Sequence, residues 1–438
     1  MSKKLCIGLA GLGTVGGGLV EMLQKNRRDI LRRTGSEIFI KTVAVHDMAK
    51  KRALPEGTSL TNDPMVLAED PDIQIVVELM GGTSAARQLI LKAIENGKSV
   101  VTANKALLAE YGREIFSLAA KNNVAIGYEA SVAGAIPVIQ TLKNSLTGNH
   151  IRSVLGILNG TSNYILSEMN NKGMDFPAAL KAAQEMGYAE ADPSLDIDGF
   201  DAAHKLALLI RLAWGRHYPF ADLAVEGIRS IDPLDIDFAR QFGYRIKLIG
   251  QAEEVDGKIK AGVFPALVST SMLLSRVYGA YNAVRIEGNA VGSLFLHGLG
   301  AGRRPTASAV LGDLLALAKR RVLNSAEDNT GFVDELPVAD VLPQEESINC
   351  WYVRATVRDT PGVLRDIASV FALESISFAQ LIQKEKQNDC VSLVFMTHRT
   401  TGKAIRNATA TLERSGILLT PATCYRILEA RQNEAEGV

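Results

Sequence analysis

Cysteine is scarce in this chain of 438 residues, with four in all, Cys6, Cys350, Cys390 and Cys424. They are scattered, without a CxxC pair or Cys/His ligand spacing. That excludes a disulfide framework and a zinc-type centre, and it reads as reduced, buried thiols in a cytoplasmic protein. An excess of either charge is also missing. Lys and Arg total 48, Asp and Glu total 48, and no basic block occurs. This argues against a nucleic-acid partner and gives no ground for a membrane surface. No apolar run reaches spanning length. The start, MSKKLCIGLAGLGTVGGGLV, resembles a signal peptide only superficially, because it is glycine-rich and has no small-x-small cleavage site. What is present is ordinary for a globular protein, 47% hydrophobic and 22% charged, at a length that suggests two to three domains.

The most informative stretch is Gly187 to Leu212, GYAEADPSLDIDGFDAAHKLALLIRL. Glu190, Asp192, Asp196, Asp198 and Asp201 precede one lysine, Lys205, and the chain then turns apolar. The second half has helical spacing. Asp201 and Lys205 are neighbours four apart, acid first, which is the favourable order. Leu208, Leu209 and Leu212 continue that face, while His204 and Arg211 fall on the opposite side. Lys205 is therefore expected where acids meet an apolar stripe, a setting suited to a general acid/base. Taken alone, such a pair reads somewhat better as a surface salt bridge worth roughly 0.3–0.5 kcal/mol.

From the beginning of the chain, Leu5–Leu9 reads as a strand, Gly11-Leu12-Gly13-Thr14-Val15-Gly16 as a turn, and the following residues as a helix. This is the setting in which GxGxxG cradles a dinucleotide pyrophosphate. A second strand, 38–45, ends in His46-Asp47 ahead of Lys50, Lys51 and Arg52. Asp47 favours NAD, and His46 with the basic residues favours NADP. Strands at 73–79, 98–102 and 124–128 alternate with helices, which predicts a doubly wound parallel sheet. Lys105 follows the 98–102 strand, on the ligand side of such a sheet. A helix is expected at 138–145 and strands at 151–158, 244–251, 259–268, 283–288 and 293–297. A glycine-rich turn, Gly298–Ser308, leads into a helix that returns to close the first domain. Residues 325–347 read as a linker. Beyond them the order βαββαβ predicts a ferredoxin-like unit.

The motifs GLGTVGGGL, VTANKALLA, NGTSNYIL, GYAEADPSLDIDGFDAAHKLALL and GAGRRPTASAV, in this order, resemble those of homoserine dehydrogenases over essentially the whole chain. The tail, with DTPGVL, resembles an ACT domain. The resemblance implies an α/β enzyme with a dinucleotide-binding domain at 1–137 completed by 305–324. A substrate and dimerisation domain would lie at 138–304, the linker at 325–347 and a regulatory domain at 348–438. The implied reaction interconverts L-homoserine and aspartate 4-semialdehyde with NADP(H) or NAD(H). Lys205 would be the proton donor, with Asp201 orienting it and Lys105 nearby. Glu190, Asp196 and Asp201 would hold substrate. Gly11, Leu12, Gly13, Thr14, Val15, Gly16, His46, Lys105, Gly187 and Gly302 would contact cofactor. A sodium-type ion, structural in role, would sit at Glu129, Val132, Gly134 and Ile136, held by one carboxylate and backbone carbonyls. Threonine is the expected effector, and a homo-oligomer, dimer or tetramer, the expected assembly. Many members of the family carry arginine where this chain has His46, which leaves the cofactor preference open. A non-catalytic amino-acid sensor is the alternative, and a dehydrogenase for another small hydroxy-amino acid a third reading.

Overall fold

The computed structural model describes residues 3–323, 332, 336–383 and 390–429. Short β-rich apolar runs separated by helices give six strands, β1 (Lys3–Ala10), β2 (Ser36–Ala44), β3 (Ser59–Thr61), β4 (Ile75–Glu78), β5 (Ser99–Thr102) and β6 (Ile126–Gly127). All neighbouring pairs are parallel, in the order 3-2-1-4-5-6. The doubly wound sheet expected from the sequence is therefore present. Its order reverses between β1 and β4, and the carboxyl ends of those strands form the crevice that ligands occupy in such sheets. Ile75, Val76, Val77, Val100 and Val101 are fully buried, as a sheet covered on both faces requires. Helices Arg27–Thr34 and Met65–Glu69, and β3, are too short to show a period and were not anticipated.

The chain forms two compact units. The first comprises Met1–Gly160, Asp201–Asp222 and Ala280–Ala339. Within it, helix Arg303–Leu323 returns to lie against helix Thr14–Lys25. The approach is so close that a Cβ on Gly18 would stand 2.8 Å from the Arg303 carbonyl oxygen. The unit also holds an antiparallel group of Ile151–Ile157, Tyr281–Gly288 and Gly292–Leu299. The single helix expected at 138–145 is a short α-turn, Val138–Gln140, followed by π-helical Thr141–Ser145.

The second unit comprises Thr161–Phe200, Leu223–Gly279 and Asp340–Val438. A long hairpin, Tyr244–Val255 with Lys258–Ser269, is its centre. The C-terminal elements follow in the order strand Ile348–Arg358, helix Val363–Leu373, strands Phe378–Gln383 and Cys390–Thr397, helix Gly402–Ser415 and strand Thr423–Leu428. The last strand pairs with the first, the first with the third, and the third with the second, all antiparallel. That is the ferredoxin-like arrangement. Its last strand also pairs in parallel with the hairpin, Ala266–Val268 against Arg426–Leu428. Fully buried Asp235 accepts the Tyr352 hydroxyl at 2.7 Å and the Arg354 guanidinium at 2.6 and 3.0 Å.

Of the expected linker, 325–331 and 333–335 lie outside the described residues. The rest is tied down. His217 exchanges backbone hydrogen bonds with Pro337 and Ala339, and Ile259 does so with Asp340 and Leu342.

Candidate active site

Helix Phe200–Trp214 starts after the left-handed turn at Gly199 and carries Asp201 in its first turn, where an acid complements the helix dipole. Asp201 and Lys205 are 7% and 8% exposed, so theirs is not a surface pair. The Lys205 ammonium donates to Asp201 Oδ2 at 2.6 Å and to the Leu158 carbonyl at 2.7 Å. An ammonium has three N–H donors, so one is left for a further oxygen. Asp201 Oδ2 also accepts Asn159 Nδ2 at 2.7 Å, and its Oδ1 faces Lys105 Nζ at 3.1 Å. Burial pushes the Asp201 carboxyl up, but Lys205 and Lys105 outweigh it and hold the group well below the ordinary carboxylate range. The cluster thus carries two cations and one anion. Its surplus positive charge suits an oxygen that becomes negative during reaction.

The opposite side of the helix is not solvated, contrary to the simple two-faced reading. His204 is half-buried and stacks on Phe220 at 4.7 Å, and Arg211 lies over the Phe116 ring at 4.1 Å. Both faces are covered because the helix runs through the interior of its unit.

Lys105 opens helix Lys105–Lys121 directly after β5, with Asn104 as N-cap accepting the Leu107 N–H. The loop is pinned from β4. Fully buried Glu78 accepts the Thr102 hydroxyl at 2.6 Å and the Met80 N–H at 2.8 Å. Asn104 in turn bonds Thr102 Oγ1 and the Gly82 carbonyl. The carboxyl ends of β4 and β5 are therefore locked together where Lys105 departs.

The glycine turn has the geometry its motif calls for. Gly11 is left-handed (φ +97°), and a Cβ there would overlap the Leu79 carbonyl. A Cβ on Gly16 would overlap the Gly11 carbonyl, while Gly13 faces open space. Helix Thr14–Lys25 has Gly13 as N-cap and no side-chain cap. Its first N–H groups, with Leu12, Thr14 and Val15 around them, suit a pyrophosphate. Gly302 immediately precedes helix Arg303–Leu323. His46 is exposed just past β2. The neighbouring Asp47 carboxylate accepts the Ala49 and Lys50 N–H groups, and Arg52 donates to the Asp47 and Lys50 carbonyls.

Gly187, Glu190 and Asp196 belong to the second unit. Gly187 and Glu190 are exposed, and Asp196 sits on the short helix Ser194–Ile197, its carbonyl accepting the Ser162 hydroxyl. Asp198 of the same acidic run is engaged by Arg229, and Asp192 by Ser194. These two have local structural work.

The expected carboxylate ligand of a cation is otherwise engaged. Glu129 accepts the Ile139 N–H at 2.9 Å and the Gln140 N–H at 2.8 Å, which makes it a cap for the turn after Pro137. Burial and the neighbouring Asp313 raise its carboxyl to about 7. Val132 and Ile136 are buried, and Gly134 lies on a left-handed turn. Among the described residues no group of three or more His, Cys, Asp or Glu side chains could hold a metal.

Asn159, the Leu158 carbonyl and Glu78 are parts of the site that the sequence reading did not single out. Asn159 opens the motif NGTSNYIL, and that motif was the available signal.

The comparisons with known proteins agree with this geometry. A family model described as "Homoserine dehydrogenase, NAD binding domain" matches residues 11–129, and one described as "Homoserine dehydrogenase" matches 137–315. The homoserine dehydrogenase of Neisseria gonorrhoeae is 43% identical over 429 residues, 97% of this chain and 99% of the relative. The chain belongs to the homoserine dehydrogenase family. It is thus an oxidoreductase of amino-acid biosynthesis. A crystal structure of a homoserine dehydrogenase from Thiobacillus denitrificans superposes with a TM-score of 0.93 at 42% identity, covering 98% of this chain and 99% of that one. A hyperthermophilic archaeal homoserine dehydrogenase mutant in complex with NADPH matches at 28% identity with a TM-score of 0.62. It covers 73% of this chain and 98% of its own. Among the described residues no helix is long and apolar enough to cross a membrane.

Proposed function

We propose that the chain interconverts L-homoserine and L-aspartate 4-semialdehyde in the route to threonine, methionine and isoleucine, and that the Lys105–Asp201–Lys205 cluster does the proton chemistry. A nicotinamide cofactor bound at the Gly11–Gly16 turn supplies or accepts the hydride. In the reducing direction Lys205 gives its remaining N–H proton to the aldehyde oxygen as that oxygen becomes an alkoxide. Asp201 and the Leu158 carbonyl hold the ammonium in place, and Lys105 adds positive potential. Glu190 and Asp196 are proposed for the substrate's ammonium group. Gly187, His46, Lys105 and Gly302 are proposed as further cofactor contacts. The observation that carries this reading is a buried lysine with two donors spent and one left over. Lys205→Met should lower kcat by about 10²–10⁴-fold while cofactor affinity stays unchanged. Ordinary turnover in that variant would overturn the assignment. An amino-acid sensor with a vestigial dinucleotide fold gives no reason for this cluster to be intact.

For the cofactor we favour NADP(H). The Asp47 Oδ1 is occupied by the N–H groups of its own loop, which leaves it less available to a ribose hydroxyl, and Lys50 and Lys51 follow it in the chain. A kcat/KM for NAD⁺ above that for NADP⁺ would reverse this choice. The functional division we propose is 1–137 with 305–324 for cofactor, 138–304 for substrate and dimerisation, and 348–438 as an ACT-type regulatory module. Threonine is the proposed effector, to be checked by titration calorimetry and inhibition kinetics. A cytoplasmic homo-oligomer is the proposed state. A sodium-type ion is retained as a proposal on the carbonyls of Glu129, Val132, Gly134 and Ile136. Replacing Na⁺ by tetramethylammonium should then lower the Tm, and an unchanged Tm would remove the ion.

A further inference from the structure

Within the first unit a second side chain reaches the carbonyl that holds Lys205. Strand Tyr281–Gly288 runs antiparallel to Ile151–Ile157, and the last opposed pair is Ala283 with Ile157. One position further along, Asn282 comes beside Leu158. There Asn282 Nδ2 donates to the Leu158 carbonyl at 3.0 Å, and Lys205 Nζ donates to the same oxygen at 2.7 Å. A carbonyl oxygen has two lone pairs. The amide takes one, and the other orients the ammonium.

Asn282 is fully buried. A Cβ on Gly300 would stand 2.2 Å from its Oδ1 and 2.5 Å from its Nδ2, and a Cβ on Gly160 would stand 3.5 Å from Oδ1. The amide fits there because residue 300 of the glycine-rich turn is glycine. Among the described residues Oδ1 has no hydrogen-bond donor. A flipped amide would set oxygen against the Leu158 oxygen, so Nδ2 is the end that faces it. A buried acceptor left unpaired costs stability, and an apolar side chain of similar size would avoid that cost. What the amide supplies in return is its bond to Leu158.

We propose that Asn282 is a positioning residue for the proton transfer. It fixes the Leu158 carbonyl, and that carbonyl together with Asp201 fixes the direction of the third N–H of Lys205. The role rests on Lys205 being the proton donor, and Asn282 acts through it without touching the reacting atoms. Leu158 lies one residue beyond the paired strand. Without the amide its peptide group can tilt, and the ammonium tilts with it. A misdirected proton donor slows the chemical step and leaves the binding of substrate and cofactor nearly untouched.

The test compares Asn282→Val, Lys205→Met and the double variant of the full chain in aldehyde reduction with NADPH. Valine suits a strand and has no donor. For Asn282→Val we expect kcat lower by about tenfold, in line with one lost hydrogen bond, and KM and cofactor affinity within about twofold of wild type. The solvent deuterium isotope effect on kcat should rise, because proton transfer becomes more rate-limiting. A mere loss of folded protein would leave it unchanged. Added to Lys205→Met, Asn282→Val should cost less than about twofold more, because the amide acts through that lysine. A kcat within about twofold of wild type, an unchanged isotope effect, or full additivity in the double variant would overturn the role. Ordinary turnover in Lys205→Met would overturn the proton-donor reading, and this role with it, so the two failures are told apart. Asn282→Ala, which only removes atoms, carries the same expectations if Asn282→Val does not fold.

Discussion

At the scale of single residues, the pair Asp201–Lys205 was legible because four residues make one helical turn, and local spacing is written directly in a sequence. What spacing could not show is that Lys105 and Asn159 converge on the same carboxylate, since they come from separate segments. The same limit applied to Arg211, which helical periodicity placed on the opposite side and tertiary packing half-buried over the Phe116 ring. That the Glu129 carboxylate caps the turn after Pro137 was likewise hidden, because its two backbone donors come from 139 and 140. The electrostatics of Asp201 make a signed prediction. Its carboxyl is held below its ordinary value of 3.8 in the folded state, chiefly by Lys205 and Lys105 against the opposing effect of burial. It therefore contributes stability that is present above the unfolded pKa and is lost as pH falls through the folded one. Asp201→Asn should cost about 3–5 kcal/mol at pH 7, because it leaves the buried Lys205 ammonium without its carboxylate. The difference from wild type should shrink on acidification below about pH 4. Denaturant unfolding at several pH values measures it, and a pH-independent difference would contradict the assigned charge state.

At the scale of elements, the first βα turn was well read because each glycine in its motif answers a separate steric demand. Those demands can be told apart by substitution. Gly16→Ala puts a methyl group into the Gly11 carbonyl. It should lower the Tm and cofactor affinity together, with a stability loss of roughly 1–3 kcal/mol from overpacking. Gly13→Ala meets nothing in the protein. It should leave the Tm nearly unchanged and weaken cofactor alone, because the new methyl group occupies the space for the pyrophosphate. Thermal scans with and without NADP⁺ distinguish the two, and equal Tm losses would contradict the geometry. Short elements such as Arg27–Thr34 and β3 escaped the sequence reading because one or two turns of pattern cannot be separated from chance.

At the scale of the whole molecule, the C-terminal βαββαβ order was visible in the alternation of its strands and helices, but its attachment was not. The strand Thr423–Leu428 extends the sheet of the Lys258–Ser269 hairpin, and Asp235 depends on Tyr352 and Arg354 for its partners. Truncation after Ser347 would leave a bare parallel edge at Ala266–Val268 and a fully buried carboxylate stripped of both donors. Such an edge is a pairing hazard. We expect the truncated chain to aggregate, as read by size-exclusion chromatography with light scattering. A stable, active truncated form would show that the module is only an appendage.

The sequence by itself determined the parallel α/β sheet, the glycine turn, the acid–lysine helix and the ferredoxin-like order, because each rests on contacts within a few residues or on a periodic pattern. Tertiary structure alone decided which distant cation meets Asp201, which turn the Glu129 carboxylate caps, and which aromatic ring the Arg211 guanidinium lies over. Those outcomes depend on how separate segments approach one another, and on the burial and electrostatics that the approach creates.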